Sequence, residues 1–470
     1  MARELTIDAT RLHRALQGGD GLPGVFEQAL GFRVSTKAIK GVHLMNDLAQ
    51  CVLGGAPEHR GDLLCRVIRE AHTREPNSDR DLRQDDALGV HYRRAYPEQL
   101  GRQQVTQLRE AARLLLNADS GMYKPGDNMA SSLATHRDLL GWEGFRRFRV
   151  GRYVQRVLGH AGRERVREMF ESADDPVSRA MKPLMVTTPL IERYPDEPAP
   201  PLTAFDDALG RRLTILLSHP LTKPNLLRGL SLAGNLGVVL KILGAGRPGG
   251  HPVLLALPDH TWVGVRKPAR EEAVQSFQLG IDAADRAFAR HLARHPLGDS
   301  LWAPPADDDT PTITVTTCED ERDNDALMKA ARAFEFSKKD GTKDLYWPDE
   351  FAIALGKRAG CVGPRRDQAG WSKHLMLTPE LVELLVLMFV PPGARPLPWR
   401  ALWETVRDEL GIVIGANSHA DDEALKGAGV LHIDLGQLAR SSDVFLAQAI
   451  CRGVARRLPD SGAEAGGELL

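Results

Sequence analysis

Three glycines in the middle of the chain have the spacing of a dinucleotide-binding turn. Gly244, Gly246 and Gly249 form a G-x-G-x-x-G pattern after an apolar run. In a true fingerprint a strand leads into a tight turn, and the helix that follows points its N-terminus at the pyrophosphate. Here a strand-like run at 253–257 follows the glycines instead of a helix. We therefore interpret the pattern as a structural turn and expect no nucleotide cofactor.

Three further patterns imitate catalytic or metal motifs, and each lacks an essential part. The stretch around Ser231 is one residue from a nucleophile elbow, but no buried strand precedes it, so we predict a small-residue packing surface on a helix. His291 and His295 have a metal-compatible spacing without a third ligand. Asp349 and Glu350 resemble half of a nuclease magnesium site whose acid-x-Lys half is missing, and we interpret them as the start of a helix or turn. We therefore expect no metal site.

An arginine-rich segment with interleaved aromatic residues is a candidate nucleic-acid surface. Arginine outnumbers the acidic residues between Trp142 and Arg156, and Arg163, Arg165 and Arg167 continue the segment. Guanidinium groups can hold phosphates bidentately, and aromatic rings can stack on bases. The alternative interpretation places the apolar residues in the core and the arginines in solvent or in pairs with nearby Glu. The predicted contacts are Arg146, Arg147, Arg149, Arg152 and Arg156.

The last hundred residues carry helical patterns with clear boundaries. Thr378 and Pro379 supply an N-cap and a first-turn proline for one helix. Pro398 opens a second helix, and Gly411 ends it. A third helix is expected between 435 and 458, with Ser442 or Asp443 as its cap.

The order of these elements, with a Pro-Asp-Ser-Gly turn at 459–462, resembles a winged-helix module, whose third helix would enter a DNA major groove. The insertion 415–429 departs from the compact form of that family. The resemblance implies either DNA contact or protein docking, because winged helices serve both purposes. The basic residues predicted to contact nucleic acid here are Arg452, Arg456 and Arg457.

Two other classes of function stay open at this point. One is an enzyme of hydrolase or nuclease type with a dispersed active site in the middle region, using Asp259, Asp282 and Asp285 as acids and His260 as a base. It requires these groups to converge in a concave pocket. The other is a structural interaction protein in which every arginine pairs within its own domain, and it predicts no basic stripe on the surface.

Composition limits these alternatives. The chain has 470 residues, of which 42% are hydrophobic, so it can bury sizeable cores. Its formal net charge of -1 excludes a global attraction to nucleic acid or membranes, and only local patches could provide one. The five cysteines lack metal or redox spacing, and neither a signal peptide nor a membrane span is evident, so we expect a cytoplasmic protein.

The elements that must position these residues are mainly helices. The clearest expectations are helices at 226–243, 270–295 and 323–334, strands at 213–217 and 312–317, and a hairpin of 253–257 with 261–265. We predict an α+β, predominantly helical fold with several domains. These are a helical domain 1–193, a mixed α/β domain 205–302, a small α/β segment 312–365, a winged-helix-like domain 371–460 and a flexible tail 461–470.

The overall pattern, a helical front with a winged-helix-like end, resembles accessory proteins encoded in bacterial anti-phage defence islands. We therefore predict a non-catalytic subunit of a bacterial multi-protein assembly that contacts DNA or acts as a scaffold. Its expected partners are DNA and other protein subunits, without a membrane, metal or cofactor.

Overall fold

The fold is known from a computed structural model, which describes residues 2–8, 10–12, 22–34, 41–57, 135–137, 140, 150–175, 178, 190–191, 199–259, 267–292, 312–318, 347–364, 372–459 and 462–466. Helices dominate this part of the chain, and short strands form small sheets between them. The predicted class, a predominantly helical α+β protein, is confirmed. The helix predicted at 323–334 and the strand predicted at 261–265 lie outside the described residues.

The elements follow one another irregularly rather than as a repeat. The helices are α1 (Leu22–Leu30), α2 (Gly41–Leu53), α3 (Val150–Val157), α4 (Gly159–Glu171), α5 (Ala204–Ser218), α6 (Lys223–Gly244), α7 (Lys267–Leu292), α8 (Pro348–Ala359), α9 (Pro379–Phe389), α10 (Trp399–Leu410), α11 (Ser418–Gly427) and α12 (Leu435–Cys451). The strands are β1 (Ala2–Asp8), β2 (Ala56–Pro57), β3 (Leu190–Ile191), β4 (Leu254–Pro258), β5 (Thr312–Cys318), β6 (Val362–Gly363), β7 (His374–Leu377), β8 (Leu397–Pro398), β9 (Ile412–Val413), β10 (Ala455–Arg457) and β11 (Ala463–Ala465).

Helix α6 is the central element, and it is buried along most of its length. Its length and hydropathy would allow it to span a membrane, but 89% of its most apolar window is buried inside the protein, so it is a core helix. The helix predicted at 226–243 is confirmed. Ser231 lies within it, and Gly234 and Gly237 admit leucine side chains of α2 and α5, so the predicted small-residue packing surface is confirmed.

The strand predicted at 213–217 is wrong, because these residues belong to α5. A capping box starts that helix: the Thr203 side chain accepts from the Asp206 N–H, and the Asp206 side chain accepts from the Thr203 N–H. This cap satisfies two of the free donors at the helix start. A five-residue apolar run cannot distinguish a strand from a buried helix, and the capping pair upstream is the signal that could have decided it.

Strand β4 lies inside a four-stranded sheet of order β6-β7-β4-β9. It runs parallel to β7, with Ala256 opposite Leu375, and parallel to β9, with Leu254 opposite Ile412. The strand predicted at 253–257 is confirmed. The hairpin predicted between 253–257 and 261–265 cannot be compared, because its second strand lies outside the described residues; the described part of β4 pairs with β7 and β9.

The glycine pattern is a structural turn, as predicted. The apolar run before it is the helix α6, and a single 3₁₀ turn, Pro248–Gly250, leads into β4. Gly249 has a φ angle of 64°, in the left-handed region that glycine adopts without strain. The order of elements is therefore helix, turn and strand, which is the reverse of a dinucleotide-binding unit.

The described parts of the predicted domains share a large continuous core. This core reaches from Leu12 to Ala465 and includes side chains of α2, α5, α6, α8, α9 and α10. Strand β5, which confirms the strand predicted at 312–317, pairs antiparallel with β1 and so joins the N-terminal segment to the third one. Described side chains of 1–193, 205–302, 312–365 and 371–460 all contribute to this core, and the division into these domains stays a prediction.

The C-terminal module, which we define as residues 378–466, runs from the cap of α9 to the end of β11. The first two predicted helices are confirmed as α9 and α10, with Thr378 as an N-cap and Gly411 at φ 71° as a C-cap. The third begins earlier than predicted, since Asp434 caps α12. The tail from 461 is also a correction, because β11 lies within it and Ala465 is fully buried.

Candidate docking surface of the C-terminal module

The module combines four helices with a three-stranded antiparallel sheet of order β8-β11-β10. The Pro-Asp-Ser-Gly stretch at 459–462 lies between β10 and β11, whose pairing places Arg456 opposite Glu464. Glu464 also lies opposite Pro398 of β8. The last strand of the chain therefore occupies the middle of this sheet.

Aromatic side chains fix α10 against α12. The rings of Trp399 and Trp403 meet edge to face with centroids 5.5 Å apart, and Trp403 packs against Phe445 at 6.2 Å. The Trp399 Nε1–H donates to Ser442 Oγ at 3.2 Å. Ser442, predicted as an N-cap, is thus a buried acceptor inside α12 that helps to set the position of that helix.

Polar side chains of the preceding region attach the module to the rest of the protein. Arg212 of α5 donates from Nε to Glu409 Oε2 at 2.8 Å, and its guanidinium lies 4.2 Å from the centre of the Phe389 ring. His219 Nε2 lies 2.9 and 3.1 Å from two backbone carbonyl oxygens at the end of α9. His251 Nδ1 lies 3.0 Å from the Glu409 carbonyl oxygen. The module is therefore part of the body rather than an appended domain.

The arginines predicted to contact nucleic acid in this module are largely engaged with carboxylates. Arg452 donates from Nε to Glu383 Oε2 at 2.6 Å. Arg456 pairs with Glu464 across the sheet. Arg457 is exposed at the end of β10. A guanidinium that already pairs with a carboxylate must break that pair before it can hold a phosphate, which reduces what it contributes to DNA binding.

The exposed face of α12 is nearly neutral. Its exposed charged residues before the C-terminus are Arg440 and Asp443, and they stand three residues apart on the same side of the helix. Leu435, Gly436 and Ala439 are the other exposed positions in this stretch. A helix that reads a major groove presents hydrogen-bond donors to base edges and positive charge to phosphates. One arginine beside one aspartate is a poor surface for that purpose.

In the arginine-rich segment, the described arginines contact groups of the protein itself. Arg156 donates from Nη2 to the Pro200 carbonyl at 2.5 Å, and Arg152 also interacts within the protein. Arg165 pairs with Glu168 and Arg167 with Glu164, each within one turn of α4. Three of the predicted contacts, Arg146, Arg147 and Arg149, lie outside the described residues. The described part of this segment matches the alternative in which arginines pair locally.

The residues proposed for a dispersed active site are only partly described. Asp259 follows β4, and Asp282 accepts a hydrogen bond from Gln278 Nε2 at 2.9 Å within α7. Asp285 interacts within the protein, and His260 lies outside the described residues. Within the described ranges, no three His, Cys, Asp or Glu side chains stand together as metal ligands would. Asp349 and Glu350 occupy the first turn of α8, as predicted.

A surface that the sequence did not reveal lies at the loop between α11 and α12. Leu431 and Leu435 are 63% and 38% exposed, and together we call them the leucine patch. Single exposed leucines are ordinary, but Leu431 on this loop and Leu435 in the first turn of α12 together form a potential contact. The neighbouring Val430 and Ile433 instead pack into a small second core with side chains of β4 and α7.

Side chains of α7 hold this loop in one conformation. Gln275 Oε1 accepts from the Leu431 N–H at 3.1 Å, and Glu272 Oε1 accepts from the Asp434 N–H at 2.8 Å. His432 adopts a φ angle of 58°, in the left-handed region that residues other than glycine seldom adopt. Burial raises the pKa of Glu272, and the negative charge of Asp434 adds to this, whereas the hydrogen bond from the Asp434 N–H opposes it. The leucine patch is therefore presented on a preformed support.

A buried ionic network forms the second group of residues that sequence patterns missed. Lys241 Nζ lies 2.6 Å from Asp206 Oδ2, and the Tyr153 hydroxyl donates to Asp206 Oδ1 at 2.7 Å. Burial alone would raise the pKa of Asp206, but Lys241, Thr203 and Tyr153 together lower that pKa below its ordinary value. Burial and the neighbouring Asp206 raise the pKa of Tyr153 well above its ordinary value. The network joins α3, α5 and α6 and keeps each charged group paired.

No protein-family model matches the chain, and no curated protein matches it. We therefore argue its function from the geometry of the described residues.

Proposed function

We propose that the chain is an interaction subunit whose C-terminal module docks on a partner protein through the leucine patch and the exposed face of α12. The observation that carries this proposal is the exposure of Leu431, on a loop that α7 holds by hydrogen bonds, and of Leu435, at the start of α12. A fixed loop loses little conformational entropy when it binds, and burying two leucines contributes favourable free energy.

We further propose that the module is winged-helix-like. The order α9, β8, α10, α12, β10 and β11 supports this, with β9 and α11 as an insertion between the second and third helices of the pattern. The sheet order β8-β11-β10 also supports it, because the strands that follow the third helix form a hairpin with the wing turn at its tip.

Protein docking is favoured over DNA contact by the charges of the same module. Arg452 and Arg456 are paired with carboxylates, and Arg440 stands beside Asp443. DNA binding needs several uncompensated cations, because its affinity comes mainly from contacts to phosphates.

We retain the bacterial cytoplasm as the proposed setting, which the free thiols of Cys51, Cys361 and Cys451 support. A role in anti-phage defence stays a prediction.

The test is to compare the proteins captured from the native host by the wild-type chain and by variants of the leucine patch. Leu431→Glu and Leu435→Glu place a charge where an apolar contact is proposed, and we expect each to remove the same partner protein. Leu202→Glu is the matched control, because Leu202 is 37% exposed but lies outside the module. Loss of the partner in all three variants, or in none, contradicts the proposal.

A further inference from the structure

We infer that Arg247 and Arg286 form a binding site for a phosphate group, free or carried on a nucleotide. Arg247 follows the glycine turn after α6, and Arg286 lies on α7. The site lies outside the leucine patch and the exposed face of α12, and it goes beyond the proposed docking function.

A close backbone contact brings the two arginines together. Gly246 packs on Ala283 so tightly that a Cβ atom on the glycine would stand 1.8 Å from the Ala283 carbonyl oxygen. The next residue after Gly246 is Arg247, and Arg286 is three residues after Ala283, on the same side of α7. Each arginine therefore leaves from one side of a contact at which the two backbones lie as close as they can.

The guanidinium of Arg247 is held by one hydrogen bond and keeps at least one donor without an acceptor. Its Nη2 donates to the Ala428 carbonyl oxygen at 3.1 Å, which ties it to the loop before α12. Its Nε is buried and has no hydrogen-bond acceptor. Side-chain groups held in place by one contact and left with further donors are well suited to bind a ligand, because little ordering is needed on binding.

No carboxylate in the described part of the chain pairs with either arginine. Asp282, one turn before Arg286, accepts a hydrogen bond from Gln278, and Asp285, the residue before Arg286, has interactions of its own within the protein. Burial lowers the pKa of Arg247, and the positive charge of Arg286 lowers it further. Two like charges brought together without a counterion raise the free energy of the folded protein. An anion between them would relieve this repulsion.

Phosphate matches this pair better than a small monovalent anion. Two guanidinium groups offer parallel N–H donors, and a phosphate has enough oxygens to accept from both at once. Arg286 is exposed and Arg247 half-buried, so a ligand can approach from solvent and reach inward. The fold thus uses the glycine spacing to place a cation pair rather than a helix N-terminus.

The experiment is a calorimetric titration of the full chain with inorganic phosphate and, separately, with AMP. We expect saturable binding of at least one probe, weakened about tenfold by Arg286→Gln, which removes an exposed charge and leaves the fold intact. Arg290→Gln is the matched control, because it removes an exposed arginine from the next turn of α7.

The two probes distinguish the sources of the phosphate. Tighter binding of AMP supports a nucleotide ligand, and tighter binding of inorganic phosphate supports the free ion. Absence of saturable binding for both probes overturns the inference, and so does equal binding by wild type and Arg286→Gln. Neither result depends on whether the leucine patch docks a partner.

Discussion

Gly246 and Ala283 are in backbone contact, with no room for a single additional carbon atom between them. Replacing Gly246 by Ala must push α7 away from the turn that follows α6. We expect Gly246→Ala to lower the free energy of unfolding by about 3 kcal/mol. Gly427→Ala is the control, because a Cβ atom there would meet nothing within 4 Å, and it should raise stability by about 0.5 kcal/mol. Urea unfolding of both variants measures the difference, and equal effects would contradict the contact.

The ion pair between Lys241 and Asp206 predicts a large cost when one partner is removed. Lys241→Met leaves a buried carboxylate without its cation, and we expect a loss of about 3–5 kcal/mol at neutral pH. Arg165→Met removes one partner of an exposed pair and should cost less than about 1 kcal/mol. Thermal unfolding of the two variants gives the comparison.

The same pair predicts a pH dependence. The pKa of Asp206 is lowered in the folded protein, so its stabilising contribution is present above its ordinary pKa of about 4 and is lost as pH falls through the folded value. In Lys241→Met the unpaired carboxyl can be neutralised by protonation. The stability difference from wild type should therefore shrink at acidic pH, and a difference that stays constant from pH 7 to pH 3 would count against the ion pair.

Arg212 and Arg211 provide a matched test of how the module is attached. The Arg212 side chain is 15% exposed and binds Glu409 at two points, whereas Arg211 is 61% exposed and lies 3.7 Å from the same residue. We expect Arg212→Met to cost about 2 kcal/mol and Arg211→Met less than about 0.5 kcal/mol. Denaturant unfolding should stay a single transition in wild type. Separate transitions for the module and the body would show that the two are not one cooperative unit.

Glu272 supports the loop of the leucine patch at an electrostatic cost. Its pKa is raised in the folded protein, so its contribution is fully favourable below its ordinary pKa of about 4 and is lost as pH rises through the folded value. Glu272→Gln keeps an oxygen that can accept from the Asp434 N–H and removes the buried charge. We expect it to raise stability at pH 7 by up to about 1 kcal/mol and to have no such benefit below pH 4. A stabilisation of equal size at both pH values would be inconsistent with a charge effect.

Local signals in the sequence predicted the elements with strong boundaries. The threonine-proline start of α9, the glycine after α10 and the apolar run of α6 all act within a few residues, and each predicted element is present. The strand predicted at 213–217 failed for a different reason. Whether that apolar run forms a strand or a helix depends on a cap upstream, which the run itself does not encode.

The candidate site was harder to predict than the fold. Whether an arginine is available depends on its neighbours in space, and Arg452 meets Glu383 of another helix. The exposure of Leu431 also depends on contacts distant in the sequence. Its neighbour Val430 is buried in the small core that includes Ala273 of α7, whereas Leu431 faces solvent. No local sequence pattern distinguishes an apolar residue that packs in the core from one that stays exposed to solvent.

The most direct test that distinguishes protein docking from DNA contact is a titration of the full chain with labelled duplex DNA at several salt concentrations. The double variant Arg440→Ala, Arg457→Ala is titrated in the same way. We predict no binding tighter than about 10 µM near 150 mM salt, and the same weak binding by the variant. Submicromolar binding that weakens steeply with salt, with a slope reduced in the double variant, would contradict the proposal and assign the C-terminal module to DNA.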